Sequence, residues 1–156
     1  MKDFRNPYQP PKSAILPERS DQAEPPVPVG RGRRFFNYLI DLLLIYVSAV
    51  PVGVLLFFVL GEEAMMSAGP GFEYLVGITL IVGYYSFFEG LFAWTPGKLV
   101  TGTRVVNEDG DRPSFGQILG RSLTRVVPLE PFSMFSSTRR AWHDRWPATV
   151  VISVRN

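Results

Sequence analysis

The chain has 156 residues, a formal net charge of +2 and no cysteine. The length suits one domain, and the missing cysteine excludes a disulfide framework and thiolate chemistry. Charged residues make up only 19 % of the chain, against roughly 25 % in soluble domains. Two long apolar stretches account for this deficit, and this pattern indicates a membrane protein.

The first thirty residues hold seven prolines and a mixture of basic and acidic side chains. Such a segment buries too little apolar surface to offset the entropy lost on ordering. We therefore predict that residues 1–32 form a disordered, proline-rich cytoplasmic tail, followed by a membrane domain over 33–154. No cleavable signal peptide is expected, because a polar tail precedes the first apolar run.

Two apolar segments are long enough to cross a bilayer, at about 34–60 and 73–94. Between Phe35 and Leu60 the single charged residue is Asp41, and between Tyr74 and Trp94 it is Glu89. A spanning helix needs roughly 17–25 residues, so we predict two antiparallel transmembrane helices. Pro51 lies near the middle of the first and predicts a kink. The soluble alternative, two long buried helices, would need a further layer that this chain lacks.

The basic residues are unevenly placed around these segments. Arg31, Arg33 and Arg34 precede the first, whereas the link over 61–72 carries two glutamates and no Lys or Arg. Nine basic and five acidic residues follow the second segment. The positive-inside rule places both termini in the cytoplasm and the link, a short flexible loop, outside. Nucleic acid is not an expected partner, because the basic residues flank apolar segments instead of forming a separate patch.

The remaining chain, 98–154, is predicted to form a cytoplasmic strand–helix–strand portion. Residues 98–106 and 149–154 are β-branched and are predicted to pair as a two-stranded sheet. Between them, Ser114 and Gln117 have the spacing of a capping box. The segment 115–127 then shows one apolar helical face and is too short to span, which favours an interfacial amphipathic helix. An aromatic loop at 128–135 follows, close to the headgroups.

Polar residues form a stripe on the first predicted span. Arg34, Asn37 and Asp41 share one helical face, and Ser48 extends it. A charge at mid-bilayer costs some 2.5–3.5 kcal/mol on insertion scales. Asp41 is therefore expected to face protein or water and to have a basic partner.

Glu89 lies at a similar depth to Asp41 on the second span. Two neighbouring carboxylates repel, which raises one pKa or recruits a cation or an arginine. Arg34, Arg121 and Arg125 are the candidate arginines. The predicted intramembrane polar cluster therefore comprises Arg34, Asn37, Asp41, Glu89, Arg121 and Arg125. It either docks the interfacial helix structurally, which we favour, or handles protons or cations.

No catalytic residues, metal site or cofactor are predicted. His143 is a lone histidine, for which a hydrogen-bonded structural role is expected. Asp144 beside Arg145 is typical of a solvated pair or a cap. The TPGK sequence at 95–98 is turn chemistry and lacks the spacing of a phosphate-binding loop.

Four stretches taken in order, RRFFNYLIDLLL, TPGKLVTGTRVVNEDGDRPS, RSLTRVVPLEPFS and HDR, resemble the RDD family of bacterial membrane proteins. The resemblance covers about 33–154 and implies that Arg34, Asp41 and Asp144 are the arginine and two aspartates that give the family its name. Many members have a third hydrophobic span, whereas the corresponding region here is too short and too rich in proline to cross.

The resemblance implies a protein of the bacterial inner membrane, which the two predicted spans make multi-pass. The sequence shows no nucleophile–base arrangement, so we expect that it is not an enzyme. We expect a structural or accessory component of a membrane complex, partnered by lipid and by copies of itself or another membrane protein. The alternative is an oligomeric sodium–proton exchanger that uses Asp41 and Glu89, since some family members have been linked to that activity.

Overall fold

A computed structural model describes residues 26–135 and 140–154. The elements in chain order are α1 (Arg31–Leu60), α2 (Glu62–Ser67), α3 (Pro70–Phe92), α4 (Pro96–Thr101), β1 (Thr103–Asn107), α5 (Phe115–Thr124), a 3₁₀ helix (Glu130–Phe135), α6 (Trp142–Arg145) and β2 (Thr149–Ser153). The fold is mostly helical with one small antiparallel sheet, which confirms that part of the predicted fold class.

The two predicted spans correspond to α1 and α3, which have 30 and 23 residues. Their most apolar windows have mean hydropathies of 2.7 and 1.6, so both are long and apolar enough to cross a membrane. Only 6 % and 11 % of those windows is buried within the chain. α1 continues as helix through Pro51, so this proline does not end the element.

The segments that flank α1 differ from expectation. Arg31 and Gly32 were assigned to the disordered tail, but α1 begins at Arg31. The predicted disorder of residues 1–25 lies outside the described residues. Just before α1, the Val29 backbone N–H donates to the carbonyl of Val151 at 3.0 Å. The link predicted to be a flexible loop contains the six-residue helix α2.

The prediction of strand at 98–101 was wrong, because these residues belong to α4. The Thr95 hydroxyl caps that helix by accepting from the Lys98 backbone N–H at 3.4 Å, and Pro96 occupies its first turn. Gly102 ends α4 in the left-handed region at φ 66°. The strand begins only at Thr103.

The two-stranded sheet was predicted correctly. β1 and β2 pair antiparallel, in a register that runs from Thr103 opposite Ser153 to Asn107 opposite Thr149. Val105 donates its backbone N–H to the carbonyl of Ala93 at 2.9 Å, which attaches the sheet to the end of α3. A two-stranded sheet alone is marginally stable, so this attachment is part of its support.

The capping box at the start of α5 is also present. The Ser114 hydroxyl accepts from the Gln117 backbone, and the Gln117 side chain accepts from the Ser114 backbone. α5 ends at Thr124, three residues earlier than predicted, and the 3₁₀ helix follows within the predicted aromatic loop. α5 packs against α3 and α6.

The core lies at the end of the molecule where α1 begins and α3 ends. Its apolar part includes side chains of the sheet, α3 and α5, namely Tyr85, Val105, Val106, Ile118, Val150 and Val151. Charged side chains from five α-helices and the 3₁₀ helix are buried beside it. This unusual core contains the candidate site.

Candidate functional site

Four basic and four acidic side chains are buried together, and we call them the buried charge cluster. Its members are Arg34, Asp41, Glu89, Lys98, Arg121, Arg125, Glu130 and Asp144. No member exposes more than 8 % of its side chain, apart from Asp41 for which the whole residue is 1 % exposed. Ionised groups at such depth are tolerated only when they are paired. The four basic members all pair with Glu89 or Asp144. Glu130 contacts His143, and Asp41 accepts hydrogen bonds from neutral groups.

Asp144, on α6, connects two arginines from distant parts of the chain. One carboxylate oxygen accepts from Arg34 of α1, and the other accepts from Arg121 of α5. Burial opposes ionisation of Asp144, but the charges of Arg121, His143 and Arg34 outweigh it and hold the pKa well below its usual range. The expected solvated pair or cap was wrong, because Asp144 is 0 % exposed.

Glu89, near the end of α3, is the second centre of the cluster. Its Oε2 accepts from Nε of Arg121 at 2.7 Å, and its Oε1 accepts from Nη2 of Arg125 at 3.2 Å and from Lys98. The Arg125 guanidinium also lies 3.8 Å from the ring centroid of Tyr85, a favourable cation–π contact. The structure thus brings together Glu89, Arg121 and Arg125 from the predicted cluster.

Lys98 was not among the predicted site residues, because it was assigned to a turn at 95–98 and to the start of a strand. Its side chain is buried and pairs with Glu89. Burial lowers the pKa of Lys98 to about 8, against the opposing attraction of Glu89. The Thr95–Pro96 sequence signals a helix start and was the available clue, since it places Lys98 on the first turn of α4.

Asp41 departs from expectation, because the hydrogen bonds described for it come from neutral groups. It accepts from the Thr95 hydroxyl at 2.6 Å, the Gly97 backbone N–H at 2.9 Å and the Tyr84 hydroxyl at 2.9 Å. Arg34, its expected partner on the same helical face, pairs with Asp144 instead. Asp41 therefore attaches α4 and α3 to α1.

Asn37 extends this attachment on the same face of α1. Its amide oxygen accepts from Thr103 at 3.0 Å and its amide nitrogen donates to the carbonyl of Gly97 at 3.1 Å. A Cβ at position 97 would lie 2.5 Å from the Asn37 carbonyl oxygen, so the approach of α4 to α1 requires glycine. Ser48, the outer end of the predicted stripe, lies apart and donates to the Ile45 carbonyl at 2.8 Å.

His143 lies at the edge of the cluster. Its Nδ1 contacts the buried carboxylate of Glu130, and its Nε2 lies 3.6 Å from Oδ1 of Asp144. The expected hydrogen-bonded role is confirmed. Burial and the nearby charge of Arg125 lower the pKa of His143, despite the opposing pull of Asp144 and Glu130.

The cluster connects α1, α3, α4, α5, the 3₁₀ helix and α6, mostly through side chains. A small cavity of about 20 Å³ lies among these residues and is lined by Arg34, Asp41, Lys98 and Arg125, among others. That volume holds about one water molecule. Among the described residues, Asp41 and Glu89 have different partners, and no basic side chain forms an ion pair with both.

Two apolar helices long enough to cross a membrane, joined at one end by a buried charge cluster, are typical of a helical membrane protein. The family model of the RDD family matches residues 28–147, most of the chain. The chain therefore belongs to the RDD family. Comparisons with curated proteins and with solved structures gave no match.

Proposed function

We propose that this protein is a structural or accessory component of a membrane complex in the bacterial inner membrane, without enzymatic activity. The observation that carries this proposal is that the central carboxylates of the buried charge cluster are inaccessible to solvent and paired with basic side chains. Glu89 and Asp144 are both 0 % exposed and are held by four basic side chains. Such a cluster fixes the relative positions of helices and offers little to a solute.

The distribution of charge supports an orientation with both termini in the cytoplasm. Arg31, Arg33 and Arg34 lie at the start of α1, and the helix α2 at the opposite end carries Glu62 and Glu63. Basic residues concentrate on the cytoplasmic side of membrane proteins. In this orientation the charge cluster lies at the cytoplasmic boundary of the membrane.

A partner within the membrane is supported by the exposure of the spanning helices. Val54 is 52 % exposed and Phe58 is 79 % exposed on α1, and the chain itself covers little of either span. Lipid covers part of this surface, and we propose that a second copy or another membrane protein covers the rest. The absence of cysteine from the sequence makes this directly testable.

Single cysteines at Val54→Cys and Phe58→Cys should give discrete disulfide or cross-linked products in native membranes. The control is Glu108→Cys, whose residue lies in the exposed turn after β1. Products at the α1 positions but not at the control support a partner in the membrane. If all three cysteine variants remain monomeric at unchanged protein abundance, the proposal is contradicted.

The alternative, an oligomeric sodium–proton exchanger, is less well supported. Its two expected carriers, Asp41 and Glu89, are engaged by hydrogen bonds and ion pairs, and the cavity beside them accepts about one water. In proteoliposomes we expect no sodium-driven proton movement. Movement that Asp41→Asn or Glu89→Gln abolishes would establish the exchanger and overturn the accessory role.

A further inference from the structure

A second, open cleft lies outside the charge cluster, between the end of α3, α4 and the sheet. It has a volume of about 660 Å³, and its lining includes Phe92, Trp94, Leu99, Arg104, Arg112 and Val154. This volume lies in the range of small-molecule sites. The described lining includes three basic residues and no Asp or Glu.

The basic residues of the cleft differ in availability. Lys98 is occupied by Glu89, but Arg104 and Arg112 are both exposed. Arg112 donates from Nη2 to the carbonyls of Gly90 and Leu91, at 2.6 and 2.5 Å. Its guanidinium is thereby held at the end of α3, where the spanning helix ends.

The apolar side of the cleft has the character of a membrane interface. The Phe92 and Trp94 rings stack with centroids 5.0 Å apart, and aromatic residues concentrate at the level of lipid headgroups. Leu99 is 54 % exposed, although it lies next to the buried Lys98. Exposed apolar side chains beside exposed arginines suit a ligand that is itself amphipathic.

We propose that this cleft binds an anionic phospholipid, with the headgroup phosphate on Arg104 and Arg112 and the acyl region against Phe92 and Leu99. Arginine suits phosphate because its planar fork of donors matches the phosphate oxygens. Basic pockets on the cytoplasmic side of membrane helices are established headgroup sites. The proposal rests on the membrane placement of the proposed function and adds a specific lipid class to it.

The test uses full-length protein purified in detergent, stripped of lipid and titrated with phosphatidylglycerol or phosphatidylcholine of identical acyl chains. Retained lipid is counted by native mass spectrometry. Wild type should retain phosphatidylglycerol at least about fivefold more strongly than phosphatidylcholine. Arg104→Gln should weaken the retention of phosphatidylglycerol about fivefold. Arg104→Gln/Arg112→Gln should remove the preference.

Arg145→Gln is the matched control, because it removes the same charge from an exposed residue outside the cleft. It should bind like wild type. Since Arg112 also holds the end of α3, Arg104→Gln decides the result, provided that its thermal unfolding matches wild type. If Arg104→Gln unfolds earlier than wild type, Arg104→Lys replaces it. This variant keeps the charge but loses the planar fork, so it should still bind phosphatidylglycerol more weakly than wild type and Arg145→Gln do.

Three results would overturn the proposal. The first is equal retention of the two lipids by wild type. The second is an equal loss of phosphatidylglycerol retention in Arg145→Gln and Arg104→Gln. The third is displacement of phosphatidylglycerol by millimolar inorganic phosphate. The last would identify a site for free phosphate. The assay contains only this protein and lipid, so its failure leaves the cross-linking result for a membrane partner unaffected.

Discussion

Arg34 and Asp144 are 110 residues apart in the chain and form a buried ion pair that joins the first helix to the last. Both belong to the three residues that the family resemblance singles out. The third, Asp41, belongs to a separate set of hydrogen bonds with Thr95 and Gly97. The three motif residues therefore stabilise two different contacts of α1, one with α6 and one with α4.

Asp144→Asn should destabilise the protein strongly. It removes the charge that compensates Arg34 and Arg121, and breaking a buried ion pair costs about 3–5 kcal/mol. We expect a lower thermal unfolding midpoint in detergent and lower abundance in membranes. Asp111→Asn, at an exposed position in the turn after β1, should stay within about 0.5 kcal/mol of wild type. Equal stability of the two variants would contradict the role given to Asp144.

Gly97→Ala should separate α4 from α1. Its Cβ would lie 2.5 Å from the Asn37 carbonyl oxygen and 2.8 Å from Oδ1 of Asp41. Overpacking of this kind costs about 1–3 kcal/mol, measurable as a lower unfolding midpoint. The control is Gly116→Ala in α5, where a Cβ meets nothing within 4 Å. That change should stabilise by about 0.5–1 kcal/mol, so the two substitutions should have opposite signs.

Stability should fall as the pH drops from 7 to 5. The pKa of His143 is lowered from 6.5 in the folded protein, chiefly by burial. Below pH 6.5 the unfolded chain therefore binds a proton that the folded chain does not, and folding loses stability. Glu130 and Asp144, whose pKa values are also lowered, add to this only below their ordinary values of 4.5 and 3.8.

His143→Gln tests this pH dependence. The unfolding midpoint of the variant should change less than that of wild type between pH 7 and 5, because the titrating group is gone. Below pH 4.5 both proteins should lose stability through Asp144, but the loss through Glu130 should be smaller in the variant, because contact with His143 lowers the Glu130 pKa. Parallel curves over the range from pH 7 to 5 would exclude His143 as the source.

Arg121→Lys should destabilise although it keeps the charge. Arg121 donates from Nε to Glu89 and from Nη1 to Asp144 and Thr149. An ammonium group cannot reproduce this fork, and each lost hydrogen bond to a charged group costs about 1.5–3 kcal/mol. Arg145→Lys, at an exposed position, should be neutral. Wild-type stability of Arg121→Lys would show that charge alone holds Glu89 and Asp144.

Much of the fold could be predicted because its signals are local. The apolar length of α1 and α3, the capping box at Ser114 and the β-branched runs of the two strands each lie within a short window of sequence. Helical spacing also placed Arg34, Asn37 and Asp41 on one face, and the structure buries all three. These features depend on neighbours in the chain.

The partners within the cluster could not be predicted in the same way. Helical spacing puts Arg34 on the same face as Asp41. In the folded chain, however, Arg34 pairs with Asp144, and Asp144 also pairs with Arg121. Lys98 was misplaced on a strand because β-branched residues surround it. The helix cap at Thr95 and the proline that follows it favour a helix start at this point of the chain.

The sheet has a consequence for how copies of the protein can meet. Along β2 the Val151 carbonyl is taken by Val29, and along β1 the Val105 N–H is taken by Ala93. Unpaired strand edges are what allow sheets of neighbouring molecules to join. With both flanks engaged by its own chain, this sheet is closed to strand addition at those positions. The exposed apolar surfaces of α1 and α3 are a contact for a second copy that does not need a free strand edge.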